Sequence, residues 1–269
     1  MTPTSVVTGK ARLPTSTRKA LAVGFGCVIG LMVFVIVWSS APAPVRHTEL
    51  LGSARSAFVA LAPAPVPFPT QPAIVATAVV PSVPVYPSPN AASPDQQLAN
   101  PNNLGASLVF LAVASEGTWV ETYLPERPNG STGWVPLADV QLTKDPDHIT
   151  VSLSARQLTL YDGQAPIFVT SVAPGEPSSP TPTGSFYVTE VVKVAEPGGP
   201  YGPYALGTSA FSNTYFSFDG GPGQIAIHGT NQPWLIGGYA SHGCVRLTNA
   251  AVTTLAQQVP AGTPIAISQ

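Results

Sequence analysis

Ser241-His242-Gly243-Cys244-Val245-Arg246-Leu247 holds the one thiol of the chain that lies outside an apolar, membrane-like run. The second cysteine, Cys27, sits inside that run, so Cys244 has no disulfide partner within the chain. An unpaired thiol outside the cytoplasm is open to oxidation, and a reactive nucleophile is the natural reason to keep one there. His242 precedes it by two positions, and His228 lies sixteen residues upstream in Ile225-Ala226-Ile227-His228-Gly229-Thr230. One thiol and two imidazoles in a short Gly-rich stretch are the parts of a cysteine acyl-transfer site.

The neighbours of Cys244 fit that chemistry. A free thiol is only a few per cent thiolate at neutral pH, and a nearby imidazole raises that fraction. In an extended segment His242 and Cys244 share a face, and Gly243 lets the backbone turn and offer its N–H inward. Amides around His242, Gly243 and Cys244, beside Ser241, could then form an oxyanion hole. His228 ends an apolar strand, and the Gly229 carbonyl next to it could orient its ring. Arg246 supplies a fixed cation suited to a substrate carboxylate. Histidine and cysteine also ligate zinc, but the chain has no Cys-x-x-Cys pair and no evident third ligand, so no metal is expected.

Composition bounds the rest. With 269 residues, a net charge of -2 and 9% charged residues, the chain has no electrostatic footprint for nucleic acid. Leu21 to Trp38 is an uncharged apolar run long enough to cross a bilayer as one helix. Lys10, Arg12, Arg18 and Lys19 precede it, which places residues 1–20 in the cytoplasm and the rest outside, in a single-pass membrane protein. A cleaved signal peptide is the alternative, but Pro44 follows the candidate Ala41-Pro42-Ala43 site and disfavours cleavage. Residues 41–101 carry thirteen of the 31 prolines and read as an extended polyproline II spacer.

Residues 102–143 change to short apolar alternations. Leu108 to Val113 and Thr118 to Leu124 predict two strands around Ser115-Glu116-Gly117, with a further strand from Trp134. This stretch resembles the closing half of a bacterial SH3-like module. Residues 147–269 form a mainly β unit: strands at 149–153, 157–161, 168–172, 185–192, 215–218, 225–227 and 264–267 are expected, with Asp162-Gly163 as a hairpin turn. One helix is predicted, with Asn249 as N-cap, Val252, Leu255, Ala256 and Val259 at helical spacing, and Pro260 and Gly262 as the stop.

Residues 147–269 resemble the L,D-transpeptidase catalytic domain, the YkuD-type β-sandwich or barrel-like fold. The resemblance is carried by the Ile149 and Leu158 strands, Thr181-Pro182-Thr183-Gly184-Ser185-Phe186, His228-Gly229-Thr230, Ser241 to Leu247, and Gly262-Thr263-Pro264-Ile265. It implies that Cys244 attacks the diaminopimelate–D-alanine bond of a peptidoglycan tetrapeptide stem, releases D-alanine and forms a thioester. An amine of a second stem then takes the acyl group and cross-links the wall. The resemblance further implies that His228 is the base, that His242 shapes the anion pocket, that carbapenems acylate the thiol, and that no cofactor is used. Other readings stay open from the residues alone: water or a protein amine as acceptor, a papain-like or NlpC/P60-like peptidase, or a non-catalytic wall-binding protein.

Overall fold

Residues 72–269 are described by a computed structural model and fall within one compact unit. Their first part is built from β1 (Ala73–Ala78), β2 (Ser82–Val85), β3 (Gln96–Ala99), β4 (Val109–Glu116), β5 (Trp119–Tyr123), β6 (Thr132–Pro136) and β7 (Val140–Asp145). Five of these form an antiparallel sheet in the order β6-β5-β4-β1-β7, and β2 pairs with β3 alone. Ala76, Val83, Val85, Phe110, Val120 and Val135 are buried between them.

Three of these strands correct the sequence reading, which ran the proline-rich spacer to residue 101. The prolines here punctuate strands and do not build an extended helix. Pro72 precedes β1, Pro81 stands at the bend before β2, and Pro87, Pro89 and Pro94 fall between β2 and β3. Pro84 does sit in a strand, but in a two-stranded ribbon whose outer side needs no donor. Between these prolines Val75, Ala76, Ala78, Val83 and Val85 are buried, which is enough apolar surface to hold the segment in a sheet. The forty-residue β module expected at 102–143 thus shares its sheet with β1. The apolar run 21–38, Cys27 and residues 41–71 lie outside the described residues. Among the described residues no helix is long and apolar enough to cross a membrane.

The second part comprises β8 (Asp147–Ser152), β9 (Gln157–Asp162), β10 (Ala165–Ser171), β11 (Gly184–Lys193), β12 (Tyr204–Phe211), β13 (Gln224–His228), β14 (Val245–Arg246), α1 (Asn249–Gln258) and β15 (Pro264–Ser268). The eight strands form one sheet in the order β10-β9-β8-β15-β11-β12-β13-β14. β11 joins its halves: Gly184–Tyr187 pairs with β15 and Val188–Lys193 with β12, with a register shift between Val188 and Glu190. One core lies between the halves, formed by Ile149, Leu158 and Leu160 from one side and Leu206, Ile227 and Val245 from the other. Val252 and Leu255 of α1 close it. This part is mainly β with one helix, as its alternating strands suggested.

Two local readings change. The helix is capped by Thr248, whose side chain accepts from the Ala251 N–H, and Asn249 is its first residue. Residues 215–218 form a loop with a single Phe218–Gly221 bridge, not a strand. The two parts meet where Tyr187, fully buried, packs with Val75, Val109 and Leu111, and where Thr263 Oγ1 donates to buried Asp145 Oδ2 at 2.7 Å.

Candidate active site

β13 and β14 run parallel, with Ile227 opposite Val245 and His228 opposite Arg246. Side chains alternate across a strand, so Ile227 and Val245 enter the core while Ala226, His228, Cys244 and Arg246 take the other face. One step before the Ile227–Val245 pair, the Ala226 N–H donates to Cys244 Sγ at 3.4 Å. Cys244, His228, His242 and Arg246 all line one cavity of about 430 Å³.

The turn into Cys244 is held from three sides. Gly243 has φ 125°, and a Cβ there would meet Ile225 Cδ1 at 2.8 Å, so only glycine fits without a shift. Ser241, 3% exposed, accepts from the Gly243 N–H at 3.1 Å and donates to the Cys244 carbonyl through the same hydroxyl. Thr181, from the Thr-Pro-Thr-Gly stretch, donates to the Gly243 carbonyl at 2.7 Å and accepts from the Gly175 N–H at 2.9 Å. A threonine 62 residues away therefore fixes the cysteine loop.

His228 is 3% exposed, and its Nδ1 lies 2.6 Å from the Gly229 carbonyl oxygen. A carbonyl only accepts, so Nδ1 carries the hydrogen and Nε2 is the basic nitrogen. Tyr201 packs on the ring, with centroids 4.9 Å apart. Burial lowers the His228 pKa from 6.5 to about 4; the Gly229 hydrogen bond opposes this and the Arg246 charge adds to it. Burial raises the Cys244 pKa above its usual 9.0, against the Ala226 N–H and Arg246, which both favour the thiolate. At neutral pH the pair is a thiol beside a neutral imidazole, with a cation placed to stabilise sulfur once its proton leaves.

The second imidazole differs in every respect. His242 is exposed at the cavity rim, where Tyr215 meets its ring edge-on at 5.5 Å and Phe218 lies at 5.1 Å. Arg246 brings the opposite feature: its Nε is buried and has no hydrogen-bond partner among the described residues. A buried donor of this kind calls for a partner, whether an ordered water or a bound group. Among the described residues no three His, Cys, Asp or Glu side chains gather as a metal set.

Several residues in or near the cavity were not marked as site residues by the sequence. Tyr201 donates to Asp219 Oδ2 at 3.3 Å, linking two loops that both line the cavity. Tyr215 and Phe218 sit in the loop misread as a strand. Asn249 Oδ1 accepts from the Thr230 N–H at 2.8 Å, and a Cβ on Gly202 or Gly229 would run into it. Apart from Asn249, the first residue of α1, these residues lie in irregular segments whose role depends on long-range packing, not on local periodicity.

Residues 146–267 match the family model described as the L,D-transpeptidase catalytic domain, YkuD. YkuD of Bacillus subtilis (strain 168), a protein named as an L,D-transpeptidase, is 37% identical over 124 residues, covering 46% of this chain and 67% of that protein. YqjB of the same organism, named likewise, is 31% identical over 144 residues, 49% of this chain and 77% of its own length. Among solved structures, the catalytic domain of the E. faecium L,D-transpeptidase aligns at 23% identity and a TM-score of 0.35, covering 45% of this chain and 96% of that one.

Proposed function

Because this chain belongs to the L,D-transpeptidase (YkuD) family, we propose that it is a cysteine acyltransferase that cross-links peptidoglycan stems. The observation that carries this reading is a thiol and a buried, carbonyl-tethered imidazole on adjacent strands of one cavity, with an open Arg246 Nε beside them.

His228 Nε2 takes the Cys244 proton as sulfur attacks the diaminopimelate carbonyl of a tetrapeptide stem, forming the S–C bond. The Gly243 N–H is donated to Ser241, so the amides of His242 and Cys244 are the donors we assign to the oxyanion. When the C–N bond breaks, His228 returns its proton to the D-alanine amine, and a thioester remains. An amine of a second stem attacks that carbonyl and loses its proton to His228; the C–S bond breaks, and His228 passes the proton to the departing Cys244 sulfur, restoring the thiol and the neutral imidazole. Arg246 holds a stem carboxylate and lowers the cost of the thiolate in both steps. His242, clasped by Tyr215 and Phe218, shapes the wall against which the stem lies. The chemistry uses no cofactor.

We place the enzyme at the membrane through residues 21–38, with the catalytic part on the outer side, where its substrate is. A reporter fused after residue 269 should be active only when exported. Intact mass spectrometry with a carbapenem tests the nucleophile: one covalent adduct is expected on the wild type and none on Cys244→Ala. A folded wild type that takes no adduct would refute the reading.

A further inference from the structure

We infer that Arg127, in the connection between β5 and β6, is a positioning residue for this site: it holds the loop 212–223 in the shape that walls the cavity. The inference rests on the acyl-transfer reading above and gives the first sheet a role in it.

The loop has no strand partner for most of its length, so its carbonyls need donors from elsewhere. Arg127 supplies three. Its Nη1 donates to the Pro222 carbonyl at 2.7 Å, and its Nη2 to those of Ser212 and Tyr215, each at 3.0 Å. The acceptors stand at the two ends and the middle of one loop, so a single planar guanidinium fixes its outline. The same group lies 4.8 Å over the Phe211 ring and 5.0 Å over Phe216. Two residues on, Asn129 pairs with Phe211 as a neighbouring strand would: its amide donates to the carbonyl and accepts from the N–H, both at 2.8 Å. The Ser212 N–H closes the neck on the Gly223 carbonyl at 2.9 Å.

What the loop carries ties this clamp to the chemistry. Tyr215 and Phe218 hold the His242 ring, and Asp219 accepts from Tyr201, whose ring packs on His228. Arg127 touches none of the reacting atoms. It reaches both imidazoles through one loop, and removing it releases the wall while Cys244 and His228 keep their strand positions. Lysine, with one compact ammonium, cannot serve three carbonyls and two rings together, so it restores only part of the effect.

The test compares wild type, Arg127→Ala and Arg127→Lys in the full chain. Hydrogen exchange of the 212–223 amides, alkylation of Cys244 by iodoacetamide, and kcat and KM with a tetrapeptide stem are measured. For Arg127→Ala, exchange should quicken in 212–223 while β8 and β9 stay as in wild type. Alkylation should stay within about twofold, and kcat/KM should fall about 10- to 100-fold, mostly through KM, as expected for displaced substrate-positioning groups. Arg127→Lys should fall between. Unchanged loop exchange and KM, or exchange that quickens equally in both sheets, would overturn the inference. Exchange needs no stem substrate, so a wild type that turns over no stem refutes the acyl-transfer reading while the clamp is still decided by the exchange data.

Discussion

Acidifying the protein from pH 7 to about pH 4.5 should destabilise it through His228, and replacing that residue by glutamine should remove this part of the loss. The ring is 3% exposed and its pKa drops from 6.5 to about 4, first because burial disfavours the imidazolium. Between those values the unfolded chain binds a proton that the folded protein refuses, so stability falls as pH falls through this window and levels off below it. At about 1.4 kcal/mol per pH step, the full gap is worth about 3.5 kcal/mol, of which about 2.5 kcal/mol is lost by about pH 4.5. Urea unfolding of wild type and His228→Gln at both pH values measures it. Carboxylates that titrate in the same range, including buried Glu190 with its raised pKa, contribute to both proteins and cancel in the difference. An acid loss of equal size in the two proteins would refute the buried, neutral imidazole on which His228 as base depends.

Three further outcomes follow from the same geometry. Ultraviolet titration should show no thiolate at neutral pH and a step centred above 9.0 that disappears in Cys244→Ala; thiolate absorbance persisting at pH 6 would contradict the neutral pair. Arg246→Met should keep the fold but raise KM for a stem about 10- to 100-fold through loss of charged hydrogen bonds, and an unchanged KM would remove Arg246 from substrate binding. Gly243→Ala should cost about 1–3 kcal/mol in urea unfolding, because φ 125° strains any L side chain and Ile225 Cδ1 stands 2.8 Å from the new Cβ; a wild-type midpoint would show that the turn is free to relax.

The parts legible in the sequence were those whose signal is local. The β8–β9–β10 meander showed through alternation and the Asp162-Gly163 turn, and α1 through Val252 and Leu255 at helical spacing. Cys244, His228, His242 and Arg246 stood out by residue type, and the structure brings all four to one cavity. What stayed hidden depends on distant partners. β12 gave no alternation because it is buried on both faces over most of its length. β1 to β3 were masked by prolines, most of which fall between the strands. The 215–218 aromatics alternate as a strand would, yet the Tyr215 carbonyl goes to Arg127, 88 residues away. Asn249 resembled a helix cap, but its side chain serves Thr230 and leaves the cap to Thr248.

The most direct measurement is product analysis after incubating tetrapeptide stems with wild type and with Cys244→Ala. The account predicts D-alanine release together with stem dimers joined through diaminopimelate for the wild type, and neither product for the folded variant. Turnover that survives in Cys244→Ala, or a folded wild type that releases no D-alanine, would contradict it.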